Sequence, residues 1–366
     1  MVLKALILVG GFGTRLRPLT FTKPKPLCEF VNKPIVLHQI EALVEVGVRE
    51  IILAVSYKPK QLEDELRHIE NKLKIKIHFT LEKVPLGTAG PIKLNEDLLD
   101  PNDKDPFFML NADVIANYQF DKLLKFHQSH KGEGTIYVTP VDDPSRYGVV
   151  VADQNGKVSA FVEKPKDKKY GCDINAGLYI LNKEIIKRVP MQPTSIERVI
   201  FPALAREGKL YDLPLTGYWM DVGKPSDFLN GQRIFLNAIA AQKDDRIQKQ
   251  SNSITGAVVI HDTAQVAKSS SIGPNVVIGP NVQIGNNVRI KNSVIFGGVV
   301  IMDGSYVDGS IIGWRSKLGR WSRLTNLCIL GESVDIKPEV ALDNVTVCPH
   351  KGVKQSIINQ PGKIIL

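Results

Sequence analysis

The first third of the chain alternates unbroken apolar runs with stripes at helical spacing. Ala5-Leu6-Ile7-Leu8-Val9 and Ile51-Ile52-Leu53-Ala54-Val55 have the length and continuous apolar character of strands buried on both faces of a parallel sheet. Between them, Leu37, Ile40, Leu43 and Val44 mark one face of a helix over Pro34 to Val46, ending at Gly47 as a glycine C-cap. Leu62, Leu66, Ile69 and Leu73 mark a second helix, and the alternation Ile75, Ile77, Phe79, Leu81 a third strand. The β-α-β-α-β order predicts a parallel sheet with right-handed crossovers. Pro106 to Asp113 adds an apolar strand that ends in a carboxylate.

From Gly134 to Leu181 the pattern shortens to strands separated by turns, which predicts a β-rich insertion beside the sheet. Thr194-Ser195-Ile196-Glu197 has the form of a capping box and starts a helix that runs towards Gly208. The polar stretch 241–255 reads as a linker. Beyond it apolar residues step by six through Ile260, Val266, Ile272, Ile278, Ile284, Ile290 and Phe296, with a second series through Val276, Val282, Val288, Val294 and Val300. A period of six fits neither a helix nor a lone strand, and it is the signature of hexapeptide β-helix repeats, whose coils gain a core only by stacking. A phase slip near Gly304 is expected to be a loop or an irregular coil. The expected domains are therefore 1–240, α/β; 241–255, linker; and 256–366, repeats.

With 366 residues and 43% hydrophobic content, the chain can bury two such cores. Its net charge of +9 comes from 47 Lys and Arg against 38 Asp and Glu, spread along the chain. That favours an anionic substrate, and without a block of like charge or aromatic-basic interleaving no nucleic-acid partner is expected. Cys28, Cys172, Cys328 and Cys348 show no C-x-x-C spacing, so reduced, cytoplasmic thiols are expected rather than zinc or disulfides. The N-terminal apolar run is too short for a signal-peptide core, and no stretch approaches the roughly 18 apolar residues of a membrane span.

The chemistry-bearing residues follow strand ends, where open α/β sheets bind ligands. Gly10-Gly11-Phe12-Gly13-Thr14-Arg15 follows the first strand, and Lys25 lies in Lys23-Pro24-Lys25-Pro26-Leu27. Three glycines allow backbone N–H groups to approach a phosphate, and Arg15 and Lys25 add positive charge. The spacing is neither of the two familiar nucleotide fingerprints, and a Gly-rich turn after a strand can also bind nothing. A second loop, Pro85 to Gly90, leaves room for a flat ring. Asp113 serves equally well as a helix cap, a turn residue or a ligand. Lys164 beside Glu163 could be a solvated strand-end pair. Surface placement is expected for Arg17 and Lys23. His261 and His350, at the ends of the repeat array, have no partner apparent from sequence, so the repeats read as an assembly element rather than an acyltransferase site.

The full string G-G-x-G-T-R-L-x-P-L-T followed by P-K-P-L resembles the signature of the sugar-1-phosphate nucleotidyltransferases at every fixed position. Leu86 to Gly90, Tyr147-Gly148-Val149, Phe161 to Pro165, Ile174 to Gly177, Pro193 to Glu197 and Trp219 to Gly223 resemble in particular the motifs of the eukaryotic-type mannose-1-phosphate guanylyltransferases, catalytic (beta) branch. The resemblance implies a Rossmann-like nucleotidyltransferase domain, with a mostly parallel sheet and the β-rich insertion, followed by a left-handed β-helix. It implies GTP and mannose 1-phosphate as substrates and Mg²⁺ as cofactor, held by Asp113 and Asp221. Arg15, Lys25 and Lys164 would be catalytic. Gly10, Gly11, Gly13, Thr14, Gly87, Thr88 and Asp113 would meet the nucleotide, and Gly148, Glu163, Lys164 and Asn175 the sugar phosphate.

A homo-oligomer through the β-helix and an alpha-type regulatory partner are further expectations. Another base or sugar, or a regulatory subunit that only binds a nucleotide sugar, stays open. Two departures stand out: Asn111-Ala112-Asp113-Val114 has Ala where the family has Ser, and Lys83 and Val84 replace acidic residues before the second loop. The related regulatory subunit carries an insertion in its Gly-rich loop, and Gly11-Phe12-Gly13 has none.

Overall fold

A computed structural model describes residues 3–56, 59–166 and 169–366. By packing, the chain forms two compact units, one of residues 1–12 and 36–219 and one of residues 13–35 and 220–366.

The first unit is built on a nine-stranded sheet. Its centre is β1 (Leu3–Val9), with β2 (Val48–Val55) on one side and β4 (Phe107–Asn111) on the other, both parallel to it, and β3 (Lys76–Leu81) parallel to β2. Ala5, Leu6 and Ile7 are wholly buried, as their unbroken apolar run requires. The crossovers are α1 (Ile35–Glu45) and α2 (Pro59–Leu73), the latter burying Leu62, Leu66 and Ile69 along one stripe.

After two short helical turns at Gly90–Leu94 and Glu96–Leu99, a longer helix, α3 (Phe120–Ser129), follows. The β-rich segment supplies β5 (Gly134–Pro140), β6 (Gly148–Ala152), β7 (Val158–Glu163) and β8 (Asp173–Leu181). These strands do not stand beside the sheet but extend it. β8 runs antiparallel to β4, β5 and β6 flank β8, and β7 pairs with β6. The last strand, β9 (Leu210–Pro214), is parallel to β5.

Periodicity did not announce α3 because its buried face is Phe120, Leu123 and His127, and the histidine breaks the apolar stripe. The ring is buried because its polar atoms are paired. The Asn182 amide donates to Gly132 O (2.9 Å), so its Oδ1 accepts from His127 Nε2 (2.9 Å), and the Thr135 hydroxyl donates to His127 Nδ1 (2.8 Å). Thr135 in turn accepts from His130 Nε2 (2.8 Å), whose Nδ1 accepts from Gly132 N (3.0 Å).

Gly132 N requires an unprotonated Nδ1 on His130, and with both imidazoles neutral each bond of this chain has one donor and one acceptor. Burial lowers the His127 pKa, and burial followed by the neighbouring His127 pushes that of His130 down to about 4. Histidines with depressed native pKa values contribute stability that is full above the unfolded value and lost as pH falls from about 6.5 towards 4. Asp212, raised by burial to about 6, acts in the opposite sense below that pH. We therefore expect a His130→Phe variant to lose less melting temperature between pH 7.5 and pH 5 than the parent chain. Equal losses in thermal unfolding at the two pH values would contradict this.

In the second unit the repeat strands form three parallel sheets of seven, six and five strands, each strand up to the last coil pairing with the third one along, which is the arrangement of a left-handed β-helix. Ile272, Val276, Ile278, Ile284, Ile290 and Val307 point into one continuous core. The phase slip is not a loop. Val258 pairs with Val276, 18 residues on, Val277 with Val294, 17 on, and Ile311 with Ile329, 18 on, so some coils are one residue shorter at a corner. Asparagines take left-handed φ at many corners, among them Asn275, Asn281, Asn287 and Asn326.

The segment 13–35 and the helix α4 (Pro225–Ala241) pack with the repeats rather than by their place in the sequence. Phe30, fully buried, meets Phe228 and Phe235 edge-on at 5.4 and 5.6 Å, and Phe228 meets Phe296 of the repeats at 6.2 Å. Residues 242–255 contain no helix. They bridge to the first coils at Ile247–Val259 and Ile254–Ile272.

Candidate active site

In the first unit, candidate residues collect where the parallel strands end. Gly10 and Gly11, both exposed, follow β1, and Gly11 N donates to Ser56 Oγ at the end of β2 (2.9 Å). Asp113 lies in the turn after β4, not at a helix start, because the chain re-enters a strand at Val114 and α3 begins at Phe120. That turn is held from below by Gln39 of α1, which is fully buried and donates through Nε2 to Asn111 O (2.8 Å) and Val114 O (3.0 Å). Ala112 is 5% exposed and donates its N–H to Leu8 O (3.1 Å). Gln39 therefore fixes the main chain on both sides of Asp113. Nothing in the sequence near residue 39 signals this, since its partners are set by the tertiary fold.

Gly148, Glu163 and Asn175 lie on the neighbouring strands β6, β7 and β8, with Glu163 in register with Gly148. A Cβ at Gly148 would come within 2.6 Å of Phe161 Cζ and 3.0 Å of Glu163 Oε2, so glycine makes room for the carboxylate. Glu163 Oε1 pairs with Lys164 Nζ at 3.1 Å, the glutamate side chain 16% exposed and the lysine 56%. So exposed a pair adds little stability, but it holds a half-exposed cation in place. Lys164 takes a left-handed φ of +49°, and its N–H donates to Tyr147 O (2.9 Å). Such strained backbone is kept where the surroundings over-determine it.

At Asn175 the register of β8 shifts, a bulge of the kind that re-aims side chains at sites. The Asn175 amide donates to Tyr179 Oη (2.9 Å) and accepts from Gly177 N (3.0 Å). Trp219 Nε1 donates to Ala176 O (2.9 Å), and its ring meets Tyr147 at 5.6 Å. Tyr147 and Trp219 thus flank the sugar-side candidates, and their only sequence signal was membership of the quoted motifs.

The second loop is stitched to residues 194–197. Gly87 has φ +72° and a Cβ there would lie 2.5 Å from Thr194 O, so no other residue fits. Thr194 N donates to Leu86 O and Ala89 N to Thr194 O, both at 2.9 Å. Thr88 Oγ1 accepts from Ile196 N (2.9 Å) and donates to Glu197 Oε2 (2.6 Å). The Thr88 hydroxyl is therefore spent on the loop.

The capping box is re-cast. Ser195, not Thr194, caps the helix by accepting from Arg198 N (3.2 Å), and Glu197 accepts from the hydroxyls of that cap (2.7 Å) and of Thr88 (2.6 Å). The first turn, Ile196–Ile200, is a π-helix. Lys83 and Val84 are exposed, and the nearby frame bond runs from Leu86 N to Glu82 Oε2 (3.2 Å).

In the second unit, Gly13 has φ +61° and accepts at its carbonyl from Thr20 Oγ1 (2.8 Å). A Cβ there would lie 3.0 Å from Thr20 Cγ2 and 3.3 Å from Lys25 Cβ, so this glycine seats Lys25 against the loop. Thr14–Leu16 is a 3₁₀ turn with Leu16 buried, which leaves Thr14 and Arg15 exposed. Lys25 opens a similar turn between Pro24 and Pro26. The space over Gly223 is shared by Asp221 and Arg15: a Cβ there would lie 3.0 Å from Asp221 Oδ1 and 3.3 Å from Arg15 Nη2.

Arg17 is exposed and covers the Phe21 ring at 4.8 Å. Lys23 departs from the surface placement expected of it. Its Nζ pairs with Glu29 Oε1 at 2.6 Å and lies 4.8 Å from the centre of the Trp314 ring. Among the described residues no group of three or more His, Cys, Asp or Glu is arranged to hold a metal ion. A cation held by Asp113 or Asp221 would thus draw further ligands from elsewhere, as Mg²⁺ does from substrate phosphates and water.

The profile of the family described as Nucleotidyl transferase matches residues 4–237, and that of the GMPPB C-terminal domain matches residues 254–364. The chain is 48% identical to the mannose-1-phosphate guanylyltransferase catalytic subunit beta of Danio rerio and 49% to that of Dictyostelium discoideum. Each match covers 97% of this chain and 98% of the relative. Among solved structures, HddC from Yersinia pseudotuberculosis is 32% identical with a TM-score of 0.53, covering 63% of this chain and 98% of that one. The same protein complexed with GMP-PN gives 0.51.

Proposed function

The chain belongs to the nucleotidyl transferase family, and on that premise we propose that it is a mannose-1-phosphate guanylyltransferase, making GDP-mannose and pyrophosphate from GTP and mannose 1-phosphate. The observation that carries this reading is near-half identity to catalytic beta subunits over 97% of the chain, with a Gly-rich loop free of the regulatory insertion.

A phosphate oxygen of mannose 1-phosphate attacks the α-phosphorus of GTP, and the bond from that phosphorus to the bridging β-phosphate oxygen breaks. The attacking oxygen is already an anion, so no base is needed. Catalysis is then positioning and charge neutralisation. In our reading Gly10, Gly11, Gly13 and Thr14 offer backbone N–H groups to the triphosphate. Arg15 and Lys25 bind its oxygens and stabilise the charge that builds on the leaving group. Gly87 and its neighbours meet the guanine, while Gly148, Glu163 and Asn175 meet the mannose and Lys164 its phosphate.

Asp113 and Asp221 would hold Mg²⁺, whose hard oxygen preference their carboxylates suit, and the ion would neutralise phosphate charge. The repeat domain, 256–366, would mediate self-association and pairing with an alpha-type regulatory subunit. Cys28, Cys172, Cys328 and Cys348 are all unbridged, which supports work in the reducing cytoplasm. No helix among the described residues is long and apolar enough to cross a membrane.

Base and sugar choice is tested by comparing pyrophosphate release from GTP, ATP and dTTP with mannose 1-phosphate or glucose 1-phosphate. GTP with mannose 1-phosphate should give the highest kcat/KM. A preference for ATP or dTTP would overturn the assignment of the base.

A further inference from the structure

The arm that carries Arg15 and Lys25 is anchored on the β-helix. Glu29 sits in a short hairpin, Glu29–Phe30 with Lys33–Pro34, and both of its carboxylate oxygens are engaged. Oε1 takes the Lys23 ammonium at 2.6 Å, and Oε2 accepts from Trp314 Nε1 at 2.9 Å. The same indole lies under Lys23 at 4.8 Å and stacks on Phe296 at 4.5 Å and 15°. Trp314 is 6% exposed, so the indole is held by the coil rather than by solvent chance. A second tie runs from Asn32 Nδ2 to Ile278 O (2.9 Å), and Phe30 is buried among Phe228 and Phe235.

We propose that Trp314 is a positioning residue for nucleotidyl transfer: by holding Glu29 and Lys23 it sets the place of Lys25, so the repeat domain takes part in GTP binding as well as in assembly. Between Lys23 and Lys25 lies only Pro24, and Pro26 follows. Proline fixes φ at both positions, so the main chain transmits the position of Lys23 to Lys25 with little slack. The indole does two tasks that no other apolar side chain combines. Its N–H satisfies a partly buried carboxylate, and its face carries the cation. Phenylalanine would keep an aromatic face towards Lys23 and Phe296 while losing the donor and part of the buried ring. The proposal rests on the reading of Lys25 as a ligand of the triphosphate.

The experiment uses full-length protein carrying Trp314→Phe, Glu29→Gln, both together, or Lys25→Ala, with KM measured separately for GTP and for mannose 1-phosphate. Trp314→Phe should raise KM for GTP about tenfold, the scale of one hydrogen bond to a charged group, and leave KM for mannose 1-phosphate within twofold. Glu29→Gln also weakens the Lys23 ion pair, so the double variant should lose less than the sum of the two single losses, the Trp314–Glu29 bond being common to both. Asn32→Gly, which removes the second tie while easing its left-handed backbone (φ +60°), should also raise KM for GTP selectively, and it serves if Trp314→Phe does not fold.

An unchanged KM for GTP in Trp314→Phe, where Lys25→Ala raises it, overturns the positioning role and leaves the reading of Lys25 intact. Parallel rises in both KM values with a lower melting temperature also overturn it, showing a merely structural tryptophan. If Lys25→Ala itself leaves KM for GTP unchanged, the reading of Lys25 fails, and the proposal with it.

Discussion

Replacing Arg15 with alanine is expected to lower kcat by on the order of 10³, the scale of a guanidinium that stabilises phosphoryl-transfer charge, with a smaller change in KM for mannose 1-phosphate. The side chain is exposed on a turn whose own fixing comes from buried Leu16, so its removal should not unfold the loop. Arg15→Lys should recover only part of the loss. The guanidinium offers a planar fork to two phosphate oxygens, whereas an ammonium is a point charge. Steady-state kinetics on the two variants, with melting temperatures alongside, separates these outcomes. A fall of less than tenfold in kcat for Arg15→Ala would remove Arg15 from the catalytic set.

Asp113→Asn is expected to reduce kcat by on the order of 10² to 10³ at a fixed Mg²⁺ concentration, the scale of losing one electrostatic stabiliser. The Mg²⁺ concentration needed for half-maximal rate should rise as well. The substitution is close to isosteric, and the turn should survive it because Gln39 grips the carbonyls of Asn111 and Val114 rather than the aspartate side chain. Melting temperature should therefore stay within a few degrees. A lost rate with an unchanged Mg²⁺ requirement would assign Asp113 to the nucleotide and not to the metal.

The parallel half of the sheet was legible because strands buried on both faces must be continuously apolar, as in Ala5 to Val9 and Ile51 to Val55. The repeats were legible for the same reason, since each coil must place an apolar residue inwards at a fixed step. The fold hid itself where polar groups are buried in pairs. His127 sits on the core face of α3 because Thr135 and Asn182 satisfy its ring, so the helix lacks an apolar stripe. The phase slip read as a loop or an irregular coil, and it is the latter, a coil shortened by one residue whose strands stay paired.

Candidate residues in contiguous motifs, among them Arg15, Lys25, Glu163 and Lys164, could be singled out from the sequence, and their roles stand as proposals. Residues that act through distant partners could not be singled out. Gln39 looks like an ordinary polar position of an amphipathic helix until the Asp113 turn lies against it. Lys23 looks like a surface cation until Trp314, almost three hundred residues away, supplies its ring. Thr88 shows the reverse case, a motif residue whose hydroxyl turns out to be spent within the loop.

We propose that an intact Gly-rich loop, Asp113, Asp221 and Lys164 make this chain a catalyst of guanylyl transfer rather than a sensor of its product. Purified full-length protein with GTP, mannose 1-phosphate and Mg²⁺ should release one pyrophosphate for each GDP-mannose formed, followed by phosphorus NMR. Tight binding of GDP-mannose with no pyrophosphate released would contradict that claim.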